Sequence, residues 1–420
     1  MPAHILLVVV VAISILLMLV RPRNIPEVYW VGAGALLLVL LRLIPARLAG
    51  NAIAKGSDVY LFLTGMMLLS ELAREHGVFE WVSSAAVKHA RGSAARLFML
   101  IYGVGILVTV CLSNDATAVV LTPAVLAAVR KSKVQPLPYL FVCAMIANAA
   151  SFVLPISNPA NLVVFHEGMP PLASWLLSFG APSVLSIAAT YAVLRWRFRR
   201  ELRGPVEEST EVRKLGADGK LVLAGLLLVV AVLLAASALN RNLGLPTCVA
   251  ALVTVAVLSI RSRSNPLILA REVSWSTLAL VAALFVLVDA VESVGALRGS
   301  TAAMHWAQAL PTALGALTTS FTLGIGSNLV NNLPLGLVAG ATVHGAHVHG
   351  LLSHAVLIGV DLGPNLSVTG SLATVLWLLA LRRESINVSF LDFFKVGALA
   401  MPAALLVSVG SAIALQLVMH

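Results

Sequence analysis

The chain has 420 residues, 59% of them hydrophobic and 11% charged, with a formal charge of +10 and a mean hydropathy of +0.97. A soluble domain of this length could not hide so much apolar surface, whereas a polytopic membrane protein turns it to lipid. Nor does the positive charge mark a nucleic-acid binder, because Lys and Arg gather between apolar runs, as they do in cytoplasmic loops.

At roughly 20 apolar residues per crossing there is room for about ten to twelve spans. Apolar runs fall at 4–20, 28–44, 58–74, 97–112, 116–129, 138–165, 172–194, 221–238, 246–260, 275–291, 311–326, 333–343, 351–381 and 397–418. The run from His4 to Val20 lacks a basic start and a small-residue cleavage site, so it reads as a retained span. Two pairs of runs are joined by polar clusters, Ser113-Asn114-Asp115-Ala116-Thr117 in the first and Ser327-Asn328-Leu329-Val330-Asn331-Asn332 in the second. Hydrocarbon offers no water to unpaired backbone, so polar non-helical sequence at that depth survives only against protein or a wet cavity. Each pair is therefore predicted to form a re-entrant hairpin with its polar tip at the midplane.

Ten full crossings remain. The connections 21–27, 75–96, 130–137, 195–220, 261–274 and 382–396 then share one side and hold 22 of the 28 Lys and Arg. The positive-inside rule makes that side cytoplasmic and puts both termini outside. The same map shows a repeat. Residues 1–194 and 221–420 each carry a leading span, two spans, a hairpin and two further spans, and the charged segment 195–220, with Glu207 and Glu208, joins them. The expected fold is an all-α polytopic membrane protein of about ten transmembrane helices plus two re-entrant hairpins in an inverted repeat.

Behind each hairpin a long run is broken, at Leu154-Pro155-Ile156-Ser157-Asn158-Pro159-Ala160-Asn161 and at Asp361-Leu362-Gly363-Pro364-Asn365-Leu366-Ser367-Val368-Thr369-Gly370. Proline removes a donor and clashes with the preceding turn. Half-helices ending at the midplane would offer their free backbone groups to a ligand. The side chains gathered there are Ser113, Asn114, Thr117, Asn158, Asn161, Ser327, Asn328, Asn331, Asn332, Asn365, Ser367 and Thr369, with no Arg, Lys or His among them. Amides and hydroxyls donate and accept together, which suits a neutral polyhydroxyl solute better than an anion. The same groups also suit helix capping and interhelical glue.

Two acids share these breaks, Asp115 and Asp361. An aspartate at mid-membrane costs about 2.5–3.5 kcal/mol on insertion scales. A carrier that alternates between charged and protonated forms would repay that cost; a carboxylate ligating Na⁺ and a helix cap are the other readings. Asp58, Glu71, Asp289 and Glu292 fall toward span ends, and Glu71 has the spacing to pair with Arg74. His344, His347, His349 and His354 crowd a Gly-rich connection without a fixed scaffold, so a solvated loop is expected and no metal site. Cys111, Cys143 and Cys248 lie inside apolar runs and read as small core residues. No phosphate loop, zinc-protease helix or nucleophile elbow occurs, so neither an enzyme nor a cofactor is expected.

Four motifs, Ser113-Asn-Asp-Ala-Thr-Ala-Val-Val-Leu-Thr-Pro123, Ser157-Asn-Pro-Ala-Asn161, Ser327-Asn-Leu-Val-Asn-Asn-Leu-Pro334 and Leu362-Gly-Pro-Asn-Leu-Ser-Val-Thr-Gly-Ser371, resemble the ArsB-type arsenite efflux permeases of the ion-transporter superfamily. The Asn-then-Thr tips of the dicarboxylate carriers are matched only in part, since Asp115 and Leu329 stand where those carriers have Thr. The resemblance implies extrusion of arsenite, an uncharged trihydroxide at neutral pH, and often of antimonite. It further implies coupling to protons, a bacterial or archaeal plasma membrane and, in some members, a soluble ATPase docked on the permease. Na⁺/H⁺ antiport and silicic-acid or anion transport are the rival activities within the superfamily. Cys111, two residues before the first tip, is a poor soft ligand for a pump that must release its cargo.

Overall fold

A computed structural model of the chain describes residues 3–166, 168–207, 214–263 and 265–419. Among these the chain is helical, with one isolated β-bridge between Ser93 and Pro205 and no strand. The bilayer requires this, because a helix pairs its backbone groups within its own segment. The first half runs α1 (Ala3–Val20), α2 (Glu27–Leu40), α3 (Ala46–Lys55), α4 (Ser57–Glu75), α5 (Val78–His89) and α6 (Ala94–Cys111). A π-helical turn (Ala116–Leu121) then leads into α7 (Thr122–Lys131), α8 (Leu137–Ala149), α9 (Pro159–Val164) and α10 (Leu172–Arg197). The second half runs α11 (Ala217–Ala238), α12 (Gly244–Ser262), α13 (Pro266–Glu272), α14 (Trp275–Ser293) and α15 (Arg298–Ala309). It continues with α16 (Thr312–Val330), α17 (Asn332–Gly345), α18 (Leu351–Leu362), α19 (Leu372–Arg383) and α20 (Phe390–Met419).

The second series repeats the first in order, and the packing exchanges with it. Helix α2 lies on α14 as α12 lies on α4; α3 meets α14 as α13 meets α4; α1 meets α2 as α11 meets α12. Gly77 after α4 and Gly295 after α14 both turn the chain at positive φ, 72° and 69°. The two longest helices, α10 and α20, pack against each other, and each contains a proline, Pro182 and Pro402. At that contact the Ser408 hydroxyl donates to the Pro182 carbonyl at 2.9 Å.

Eight described helices are long and apolar enough to cross a membrane, and α3 with α4, bent by 48°, make a ninth. Helices α2 and α8 are apolar but shorter. The first hairpin arms, α6 and α16, reach 18 and 19 residues, the length of a crossing, while α17 has 14. Four helices, α3, α5, α13 and α15, occupy stretches that hydropathy reads as polar connections. They are short and mixed in composition; α5 turns Phe79, Ser83, Ala86 and Val87 inward and leaves Lys88 and His89 in its last turn.

The packing groups the elements across the two halves. Helices α1–α4 and α11–α14 form one body; α5–α10 and α15–α20 form the other. They touch through fewer pairs, among them α4 with α9 and α14 with α17. The described start of the predicted joining segment rests on the second body. Its Val206 amide donates to the Gly92 carbonyl at 3.0 Å and its Glu207 amide to the Ser132 carbonyl at 3.2 Å. Lys133 pairs with Glu207 at 2.9 Å. Glu208 and its neighbours to 213 lie outside the described residues.

Candidate functional site

Each hairpin tip is tied to the break of its own half. In the first, the Asn114 amide donates to the Ser157 carbonyl at 3.0 Å. The Ser113 hydroxyl accepts from the Ala116 amide and opens the π-helical turn, a form that recurs at functional positions. In the second, Asn328 ties its own helix to the partner loop. Its Nδ2 donates to the Gly324 and Gly363 carbonyls at 2.8 and 2.9 Å, and its Oδ1 accepts from the Ser367 amide and hydroxyl. Thr369 closes this staple by donating to the Asn328 carbonyl at 2.9 Å.

The two breaks are in turn joined to each other. Asp361, fully buried at the end of α18, accepts from the Ser151 hydroxyl at 2.7 Å and from Asn158 Nδ2 at 2.8 Å. Asn148 Nδ2 donates to Asn365 Oδ1 at 3.0 Å, and Asn365 Nδ2 donates to the Met145 carbonyl at 3.0 Å. Asn161 gathers the unwound carbonyls of Ser151, Leu154 and Pro155. Asn158, fixed by Asp361 on one side, turns its Oδ1 to the Ala160 amide and caps α9.

These junctions border a cavity of about 190 Å³ at the seam between the two bodies. Ser113 and Asp115 line it from the first tip, Pro159 and Leu372 from the starts of α9 and α19, and Ser70 and Thr277 from α4 and α14. A small extension of about 10 Å³ brings Asn114, Asp115, Asn158, Asn332 and Ser371 together. A third cavity of about 40 Å³ is lined by Asn331 and Thr369. The Asp115 carboxylate has no hydrogen-bond or ionic partner among the described residues, whereas Asp361 has two donors and lines none of these cavities. Neither the main cavity nor its extension is lined by Lys, Arg or His; Glu71 and Glu272 line the main cavity with Asp115.

The predicted set therefore divides. Ser113, Asn114, Asp115, Asn158 and Asn332 meet at the cavity, with Asn331 and Thr369 beside it. Thr117, Asn161, Ser327, Asn328, Asn365, Ser367 and Asp361 hold the surrounding backbone and line none of the three. Thr117 bonds Thr109 at 2.8 Å inside the first hairpin, and Ser327 bonds the Gly324 carbonyl at 2.9 Å. Ser70, Ser274, Thr277, Ser371, Asn148 and Ser151 are additions. Asn148 was hidden by its apolar run; Thr277 and Ser70 become visible only once α14 and α4 are packed. Glu71 pairs with Arg74 as its spacing predicts, and Arg74 also lies 3.9 Å from Glu272 on α13. Asp289 pairs with Lys55 at 2.9 Å, and Asp58 accepts from the Gly244 amide at 2.8 Å. Two of the four histidines depart from the expected loop: His344 lies in the last turn of α17, and His354 lies in α18, its ring 5.0 Å from that of Phe179. No group of three metal-ligating side chains forms among the described residues. The three cysteines are free.

The helix N-termini near the cavity are already occupied. Asn331 accepts from the Leu333 amide at the start of α17, with its own backbone at φ 70° and ψ 150°. Ser371 and Thr374 form a capping box on α19. Capped termini have fewer free N–H groups to offer an anion.

Residues 7–360 match the family model CitMHS, described as citrate transporter. Among curated proteins, the chain is 27% identical to an arsenical pump membrane protein of Yersinia enterocolitica over 370 residues, 84% of this chain and 85% of that protein. The corresponding protein of Escherichia coli (strain K12) is 27% identical over 371 residues, with the same shares. An uncharacterized transporter of Mycobacterium tuberculosis (strain ATCC 25618 / H37Rv) is 26% identical over 356 residues, 81% of this chain and 82% of that protein. Among solved structures, the YdaH transporter of Alcanivorax borkumensis superposes with a TM-score of 0.57 at 14% identity, over 87% of this chain and 86% of that one.

Proposed function

Starting from the CitMHS family of membrane transporters, to which this chain belongs, we propose that it extrudes arsenite, and with it antimonite, in exchange for protons by alternating access. The observation that carries this reading is the Asp115 carboxylate, unpartnered on a cavity whose other polar lining is amide, hydroxyl and carboxylate with no cation. A citrate-like anion there would meet three carboxylates and capped helix termini. A neutral trihydroxide would meet the hydroxyls of Ser113 and Ser371 and the amides of Asn114 and Asn332, groups that donate and accept, while Asn158, its side chain spent on Asp361 and the Ala160 amide, fixes the wall. The names of the arsenical pump relatives support the same substrate.

Asp115 is the proton carrier in this scheme. Facing the cytoplasm, Asp115 releases its proton and the cavity takes cargo; facing outward, the cavity releases cargo and Asp115 takes up a proton. Each inward proton contributes about 1.4 kcal/mol per pH unit and about 2.3 kcal/mol per 100 mV. Asp361 acts through Asn158 and positions the cavity wall. The sequence halves 1–194 and 221–420 form the inverted repeat that places one hairpin on each side, joined on the cytoplasmic face by 195–220.

Everted vesicles test this directly. Acid-inside vesicles should accumulate arsenite, and Asp115→Asn should abolish the accumulation while the protein remains in the membrane at wild-type level. Citrate uptake, or collapse of the pH gradient by Na⁺ without arsenite movement, would replace this reading with an anion carrier or a cation antiporter respectively.

A further inference from the structure

Away from this site, α15 and the two arms of the second hairpin enclose a cavity of about 310 Å³. Met304 and Trp306 line it from α15, Thr319 and Thr322 from α16, and Leu335 and Val338 from α17. No charged side chain lines it. Two hydroxyls at its wall turn back to their own helices: Thr318 donates to the Leu314 carbonyl at 2.8 Å and Thr342 to the Val338 carbonyl at 2.7 Å. What those residues present to the cavity is therefore methyl groups. A cavity with no charged side chain and a mostly apolar wall favours an apolar guest over water. Trp306, which lines it, is 60% exposed, and on α16 Ile325 and Leu329 are 50% and 67% exposed, an apolar flank of the kind a membrane protein turns to lipid. The first hairpin is packed differently. There α5 buries Val78, Phe79, Ala86 and Val87, while α15 buries only Met304 and Ala307.

We infer that this cavity is a binding site for one phospholipid acyl chain, drawn from the leaflet beside α15. The chain lies between α15 and the hairpin that carries Asn328, Asn331 and Asn332. Any shift of that hairpin against α15 must then expel or drag the chain.

The full-length protein is reconstituted in vesicles containing a phospholipid with a diazirine in its acyl chain, illuminated and digested. Adducts should be enriched on peptides covering 303–307 and 318–323 relative to the lipid-facing residues Leu227 and Leu252. Thr322→Leu, which narrows the cavity, should bring the labelling of those peptides down to that of the reference peptides and leave the references unchanged. Ala339→Leu should do the same from the opposite wall, so that one poorly folding variant does not decide the outcome. Uniform labelling over all lipid-facing peptides, labelling that survives both variants, or cross-links between two copies of the chain at this face would each overturn the assignment.

Discussion

Asp115 and Asp361 are the same residue type beside the same kind of break, and their neighbours give them different work. Asp115 faces a cavity with no partner, while Asp361 is fully buried between Ser151 and Asn158. Asp361→Ala would leave Asn158 Nδ2 buried without an acceptor, while Ser151 keeps the Asn148 carbonyl at 2.7 Å, at a cost of about 1–3 kcal/mol visible as a lower melting temperature in detergent. Asp361→Asn keeps one acceptor in place and should retain arsenite uptake in vesicles. A variant that melts like wild type yet is as inactive as Asp115→Asn would give Asp361 a proton-carrying role as well. The sequence exposed the residue types at the site but not this division. Asn158 and Asn328 read alike in the chain. Which one meets the cavity depends on irregular φ and ψ at the breaks, and neither a period of 3.6 nor a period of 2 applies there.

At the scale of elements, the long spans and the polar interruptions at 113–117 and 327–332 were legible because apolar runs and their breaks survive averaging along the chain. Helices α3, α5, α13 and α15 were not, since an amphipathic helix averages to a polar stretch. Close approach between elements was equally hidden. A Cβ on Gly340 of α17 would stand 2.5 Å from the Val164 carbonyl oxygen of α9, whereas nothing lies within 4 Å of a Cβ on Gly345. Gly340→Val should therefore force the second hairpin from the first break and cost about 1–3 kcal/mol by overpacking. Gly345→Ala should leave the unfolding curve in place. Equal melting of the two variants would show that α9 and α17 yield to one another freely.

For the whole molecule, the seam between the two bodies is where substrate would change sides. Leu63 on α4 and Leu372 on α19 both line the small extension beside Asp115, one from each body. With the three native cysteines replaced, Leu63→Cys and Leu372→Cys joined by a reducible bifunctional thiol reagent should stop arsenite uptake, and reduction should restore it. Undiminished uptake by the cross-linked protein would mean that transport needs no displacement along this seam. The fold class could be read from composition, but the two bodies could not. Their members alternate along the chain, so neither is a continuous stretch of sequence.

The polar junction between the breaks also sets a timetable for synthesis. Ser151 and Asn158 precede Asp361 by 210 and 203 residues, and Asn148 precedes Asn365 by 217. At about 5–20 residues per second, the first break waits roughly 10 to 40 s on the ribosome before its partners exist. During that interval its amides and hydroxyls cannot rest in hydrocarbon unpaired. Some partners lie within the first half, as Ser151 has the Asn148 carbonyl, but Asn158 Nδ2 and Asn148 Nδ2 have theirs only once α18 and the second break are made. Membrane insertion of this chain is thus a late closure of two halves as much as a sequence of helix insertions.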